Sequence, residues 1–403
     1  MALNYIFLGR YVSGLIFLQT SFVFNTAIVL FGSVTGAISF FRVAHFFLYE
    51  LAVVIGVYWV YRRILRERAL ILKRVERLNV AAIAALLVSF NFVMFGLYII
   101  FVIESAGSSR IEFMTASWFS YFRPAISILG PLSFFFPIYL LDRGRRFLPL
   151  SIVAAAVVSS IASGSKGALV FGLISAWLLY EDLKGARLVI PKALRLVLLL
   201  AISLSALFGL ERLDVGLSEL AQRFVRFGES TIMVYYADDP AAAAARVSTI
   251  AKIHRGAAKL LGDGSAADVD TLFGFALSRE DNGAHNFTGP NAQVSSYMLC
   301  NYSGWQNLLG LASILGYLAT VNWFVGHFMY RQITGCALLF PFVVASLNDF
   351  LQDYYQGMSD VTLMVMLALA SAGMGAVVLA CSNASRSRQQ LAASDGERMH
   401  VAV

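Results

Sequence analysis

One histidine stands apart from the rest. His285 lies within Gly283-Ala284-His285-Asn286-Phe287-Thr288-Gly289-Pro290-Asn291, where glycine and proline shape the backbone on both sides. Histidine serves as a general base or a hydrogen-bond donor near neutral pH. Five cations share its surroundings in the expected topology: Arg110, Arg123, Lys166, Arg223 and Arg226. Arg223 and Arg226 are three apart, so they are neighbours on one face of an expected amphipathic helix over 213–236. Arginine grips phosphate oxygens two at a time and keeps its charge at any accessible pH, so such a set fits a diphosphate. Each residue also has a plainer reading. The cations can be anchors reaching for lipid head groups, and His285 can simply order a loop.

Other apparent motifs carry less. His254 sits in a basic stretch with Lys252, Arg255 and Lys259 that reads as a solvated helix face. Asp268-Val269-Asp270 matches a metal-and-nucleotide triplet that arises readily by chance, and Asp238-Asp239-Pro240 reads as a turn. Gly164-Ser165-Lys166-Gly167 lacks the spacing and the preceding strand of a phosphate-binding loop. Asn286-Phe287-Thr288 and Asn301-Tyr302-Ser303 fit the glycosylation pattern, which is weak by itself. Asp349, Asp353 and Asp360 cluster with Asn348 and Gln352 near one end of the last expected helical hairpin; they either bind sugar hydroxyls or form the loop. The three cysteines, Cys300, Cys336 and Cys381, fall in or beside apolar stretches and offer no spaced pair for a metal or a loop disulfide.

The elements that must hold these residues follow from composition. Of 403 residues, 59% are hydrophobic and only 14% charged. The mean hydropathy is +0.72. A soluble domain has roughly half its residues apolar and about a quarter charged. The chain therefore reads as an all-α polytopic integral membrane protein, because only helices satisfy every backbone group of such segments inside lipid. Apolar runs mark expected spans at 11–38, 43–61, 79–103, 125–141, 147–163, 167–180, 194–210, 303–329, 333–350 and 361–381. The expected count is about 10–12 helices, since the first run can hold one helix or two. No signal-peptide pattern or internal repeat is evident.

Charge sorts the loops. Segment 62–77 holds Arg62, Arg63, Arg66, Arg68, Lys73, Arg74 and Arg77. Alternating along the chain, the same side receives Arg143, Arg145 and Arg146, then Lys184, Arg187, Lys192 and Arg195, then Arg331, and finally Arg386, Arg388 and Arg398. Most of the 31 Lys and Arg residues thus mark one side, which the positive-inside rule makes cytoplasmic, with both termini there. The net charge of +7 is then an anchoring charge, and no nucleic-acid partner is expected. The expected organisation is N-terminal membrane helices over 1–210 with a short outer loop at 104–124. A large outer loop with short helices over 211–302 follows, then C-terminal membrane helices over 303–381 and a tail over 382–403. Lys166 lies in so tight an outer turn that it must sit near the membrane surface.

This plan resembles the O-antigen polymerases (Wzy proteins), membrane glycosyltransferases of the GT-C type, and more distantly the O-antigen ligases. The likeness rests on Gly107-Ser108-Ser109-Arg110-Ile111-Glu112, on Ser163-Gly164-Ser165-Lys166-Gly167-Ala168-Leu169, and on the late large loop with arginines followed by His285-Asn286. In the family the turn more often reads Ser-Arg-Gly; here Lys166 keeps the charge and loses the bidentate fork. The resemblance implies a bacterial inner-membrane polymerase that needs no metal or cofactor. Its substrates would be oligosaccharide repeat units on undecaprenyl diphosphate, joined at the periplasmic face among membrane lipids. A chain-length regulator and a flippase would be its partners. It further implies that Arg110, Arg123, Lys166, Arg223 and Arg226 neutralise the leaving diphosphate. His285 or Glu112 would act as base, and Asn286, Asn291, Asp349 and Asp353 would hold the glycan.

Three other readings compete. A ligase shares the plan and differs in its acceptor, the lipid A core. A transporter or flippase would carry paired halves with broken helices and charges at mid-membrane, whereas Glu50 and His45 lie near the outer end of their expected span. A structural subunit of an assembly complex would not need cations on the outer face.

Overall fold

A computed structural model describes residues 21–104, 122–162, 166–185, 231–238 without 233, 294–330 without 303, 338–352, 354, 357–358 and 360–371. Among the described residues the structure is helical, with no strand. The helices are α1 (Ser21–Val34), α2 (Phe40–Arg66), α3 (Arg68–Val75), α4 (Val80–Glu104), α5 (Arg123–Asp142), α6 (Phe147–Ala162), α7 (Lys166–Lys184), α8 (Val294–Asn301), α9 (Asn307–Tyr330) and α10 (Phe340–Gln352). A further short apolar helix, α11, spans Asp360–Ser371. Four described helices are long and apolar enough to cross a membrane: Phe40–Arg66, Val80–Glu104, Pro124–Asp142 and Gly304–His327. A helix of 25 residues such as α4 rises about 1.5 Å per residue and exceeds the ~30 Å hydrocarbon layer. The chain is a membrane protein by this measure. The expected span at 194–210 lies outside the described residues.

Helix limits have local causes. Ser39 caps α2, its side chain accepting from the Arg42 N–H, and Asn79 caps the start of α4 by accepting from the Ala82 N–H at 3.1 Å. Pro124 opens α5, where a missing N–H costs nothing. Gly144 closes α5 at φ +74°, a conformation that suits a residue without a side chain. One segment departs from expectation. The basic stretch 62–77 reads as a loop in sequence, yet it contains α3, which buries Ile71 and Val75. These two are four apart and so lie on one helix face, while Arg68 and Lys73 stay exposed.

Two groups of helices build the bundle. α4, α5, α6 and α7 pack together, and α2 packs with α8, α9 and α10. An early helix therefore shares its surroundings with late ones. α10 against α5, and α7 against α3, join the groups. Lipid gives helices little apolar drive to associate, so close fit and hydrogen bonds must do so. Gly56 of α2 lies close against α9: a side chain there would run into Leu318. Asn91 of α4 donates to Ser133 of α5 at 3.0 Å, and Tyr317 stacks on Phe350 with ring centroids 3.8 Å apart. Leu51, Ile55, Trp59, Phe92, Val93 and Ile103 are exposed on the bundle exterior, as lipid-facing residues are.

Candidate functional site

The described helices can be aligned end by end from their contacts. α2 runs beside α9: Tyr49 bonds Asn307, and Arg63 bonds Asn322. α5 runs beside α7: Gly172 faces Phe134, while Tyr180 and Lys184 both bond Asp142. Tyr61 to Asp182 and Arg143 to Glu76 bring the far ends of α2, α5, α7 and the start of α4 together. The opposite ends therefore group as well: the starts of α2, α5, α7 and α9, and the end of α4. We call this the Arg42 end.

Polar residues on the first turns of α2 build the site. Arg42, His45 and Tyr49 recur at intervals of three and four along the helix, and Glu50 follows Arg42 by eight residues, so the four share one broad face. That face meets three distant stretches. Arg42 Nη1 donates to the carbonyls of Tyr235 at 2.8 Å and Ala237 at 2.6 Å, and Nη2 donates to Asp238 O at 3.0 Å. Tyr235 closes a short helical turn, so these are carbonyls that helix geometry leaves unpaired and that a guanidinium satisfies. His45 Nδ1 lies 3.2 Å from the Tyr235 hydroxyl. Ser295 of α8 donates to Glu50 Oε1 at 2.6 Å. Tyr49 donates to Asn307 at both its backbone and side-chain oxygens, at 2.9 and 3.0 Å.

Away from Arg42 and Asp238 the cluster is closed to solvent. His45, Glu50, Thr231, Ser295 and Ser296 are all buried. Tyr235, on the polar segment that precedes α8, is fully buried, and that burial pushes its hydroxyl well above the ordinary tyrosine range, with the nearby Glu50 adding to the effect. Tyr235 therefore stays a neutral phenol. Among the described residues, His45 Nε2 and Ser296 Oγ are buried without a hydrogen-bond partner. Most buried polar groups are paired, so the cluster holds hydrogen-bonding capacity that the described residues do not use. Among the described residues, no group of His, Cys, Asp and Glu side chains converges as a metal site would.

Comparison with protein-family models, curated proteins and solved structures finds no match for this chain.

The residues singled out in sequence fall mostly outside the described set. His285, Glu112, Arg110, Arg223, Arg226, Asn286, Asn291 and Asp353 lie there. Arg123 and Lys166 are the first residues of α5 and α7, and both helix starts belong to the Arg42 end. Asp349 lies in the last turn of α10, towards the same end, since α10 runs antiparallel to α9 with Tyr317 bonded to Ser346 and Phe324 against Phe342. The side chains of these three are outside the described set. The Arg42 cluster was accessible to sequence reasoning only in part: a cation, a histidine and a carboxylic acid at helical spacing on an apolar helix are a signal. Their partners, at sequence separations of 190 or more, have no such signature.

Proposed function

We propose that the chain is a membrane glycosyltransferase of the O-antigen polymerase kind, acting on lipid-diphosphate-linked oligosaccharide repeat units at the outer face of the bacterial cytoplasmic membrane. A hydroxyl of the acceptor unit attacks the anomeric carbon of the donor glycan. A carbon–oxygen bond forms there, the bond to the diphosphate oxygen breaks, and the lipid diphosphate leaves. The hydroxyl proton passes to a base, His285 or Glu112. Arg110, Arg123, Lys166, Arg223 and Arg226 oppose the charge that develops on the leaving group.

The observation that carries this reading is the grouping of helix ends. The chain enters and leaves 105–121 at the Arg42 end, between the end of α4 and the start of α5. It enters and leaves 239–293 at that end too, through Asp238 on Arg42 and Ser295 on Glu50. Arg123 and Lys166 begin helices there. The segments that carry Arg110, Glu112, His285, Asn286 and Asn291 are thus flanked on both sides by chain at one face, where a lipid head group would meet it; Arg223 and Arg226, in 186–230, lie outside the described residues. Arg62, Arg63, Arg66, Arg143, Arg145, Arg146 and Lys184 mark the opposite end, which the positive-inside rule makes cytoplasmic.

The test supplies purified protein in detergent with one synthetic lipid-linked repeat unit. A ladder of products is the expected outcome, lost in Arg110→Ala and His285→Ala. Glycosylation of added lipid A core without a ladder would instead make the chain a ligase. No reaction with either acceptor would reject glycosyl transfer.

A further inference from the structure

The Arg42 cluster joins three parts of the chain that sequence keeps far apart, and it does so at both margins of 239–293. Asp238 is the last described residue before that segment, and Val294 opens the helix after it. Their neighbourhoods are fixed to one helix. The guanidinium of Arg42 takes three carbonyls within 235–238, and Glu50 takes Ser295. Arg42 and Glu50 are eight residues apart, about 12 Å along α2. Tyr236 adds a second tie, donating to Ile28 O of α1 at 3.1 Å. Pinning both ends of a long segment restricts where its middle can reach.

We infer that Arg42 and Glu50 are positioning residues: α2 is a two-point seat that holds 235–238 and 294–301, the stretches between which the sequence carries His285. This rests on the polymerase reading for its effect on turnover, and on geometry alone for the seat. The chemistry at the two points differs. At Arg42 a cation meets backbone carbonyls, so the identity of the side chains at 235–238 matters little to the contact. In particular Arg42 is bonded to the carbonyl of Asp238. At Glu50 the hydroxyl and the backbone N–H of Ser295 both reach the carboxyl group, and amide replacement keeps an accepting oxygen there. A residue that acts through position changes the rate at saturation and leaves substrate affinity nearly unchanged.

The experiment takes the full chain in detergent and measures amide hydrogen exchange over 231–238 and 294–301, together with initial rates on the synthetic lipid-linked repeat unit. In Arg42→Ala, exchange at 235–238 rises about tenfold, the equivalent of about 1.4 kcal/mol of lost restraint. In the same variant kcat falls about tenfold and KM stays within about twofold. Arg42→Lys, which keeps the charge and loses the fork, falls between the two. Glu50→Leu raises exchange at 294–301, and Glu50→Gln restores it. Asp238→Asn exchanges like the unmutated chain, because the contact is with its carbonyl. Unchanged exchange in Arg42→Ala overturns the seat, as does an equal rise in Asp238→Asn. A rise in KM with kcat held would make Arg42 a substrate contact, which also overturns positioning. If the unmutated chain forms no ladder, the polymerase reading fails, and the exchange measurements still decide the seat.

Discussion

Tyr61 donates its hydroxyl to Asp182 Oδ2 at 2.9 Å, across 121 residues of sequence. The bond ties α2 to α7, and so ties the two helix groups at the end opposite Arg42. Removing the hydroxyl with Tyr61→Phe keeps the ring in its buried place. Asp182 has further interactions, so the cost is that of one ordinary hydrogen bond, about 1 kcal/mol. Thermal unfolding in detergent should show a lower midpoint for Tyr61→Phe, and an unchanged midpoint would mean the bond adds nothing.

Glu50 depends on Ser295 in a different way. The carboxyl group is buried in an apolar bundle, and Ser295 is a short-range donor to it. Ser295→Ala removes the hydroxyl donor, keeps the backbone N–H that also reaches Glu50, and should cost about 1 kcal/mol. Removing both partners, as in Glu50→Leu with Ser295→Ala, should cost less than the sum of the two single changes. A double-mutant cycle on unfolding midpoints measures the difference, and strict additivity would argue that the two groups do not interact.

Gly56 and Leu318 test the packing of α2 on α9. A side chain at 56 has to displace Leu318. Gly56→Val should therefore destabilise the protein by about 1–3 kcal/mol through overpacking. Leu318→Ala in the same chain should recover part of that loss by vacating the space. If the second change makes matters worse by its full single-variant cost, the two residues are not in contact.

Tyr235 sets a pH dependence on the alkaline side. Its buried hydroxyl titrates well above 10.0, the ordinary value to which it returns on unfolding. Between those two values the folded state holds a proton that the unfolded state has lost, so stability falls as pH rises there. Below the ordinary value both states are protonated and the contribution is fully present. Tyr235→Phe should flatten the decline of stability above about pH 10. An alkaline profile identical to that of the unmutated protein would assign the decline to other groups.

How much of this was legible in advance depends on the kind of constraint. The apolar run 79–103 became α4, Val80–Glu104, within a residue at each end, and 125–141 became α5, Arg123–Asp142. A long apolar segment in lipid can satisfy its backbone only against itself, so its residue types alone settle its conformation. Segment 62–77 was harder. Its seven cations dominate the pattern, and the pair Ile71 and Val75 that shapes α3 is a weak signal among them. The residues best suited to chemistry by type, His285 and the arginines of the polar block, lie outside the described residues.

The amino-acid sequence by itself determined that the chain is a membrane protein of apolar helices, and it set the limits of α4, α5 and α6 to within about two residues. Both follow from local composition and the demand of each backbone group for a partner in its own helix. Only the tertiary structure decided that Arg42 holds the carbonyls of 235–238, that Glu50 receives Ser295, and that α2 packs with α8 and α9 rather than with α4. Backbone carbonyls are present at every residue, so nothing in the residue types distinguishes those Arg42 takes from any others. Their selection is a matter of which helix ends the packed bundle brings to the same place.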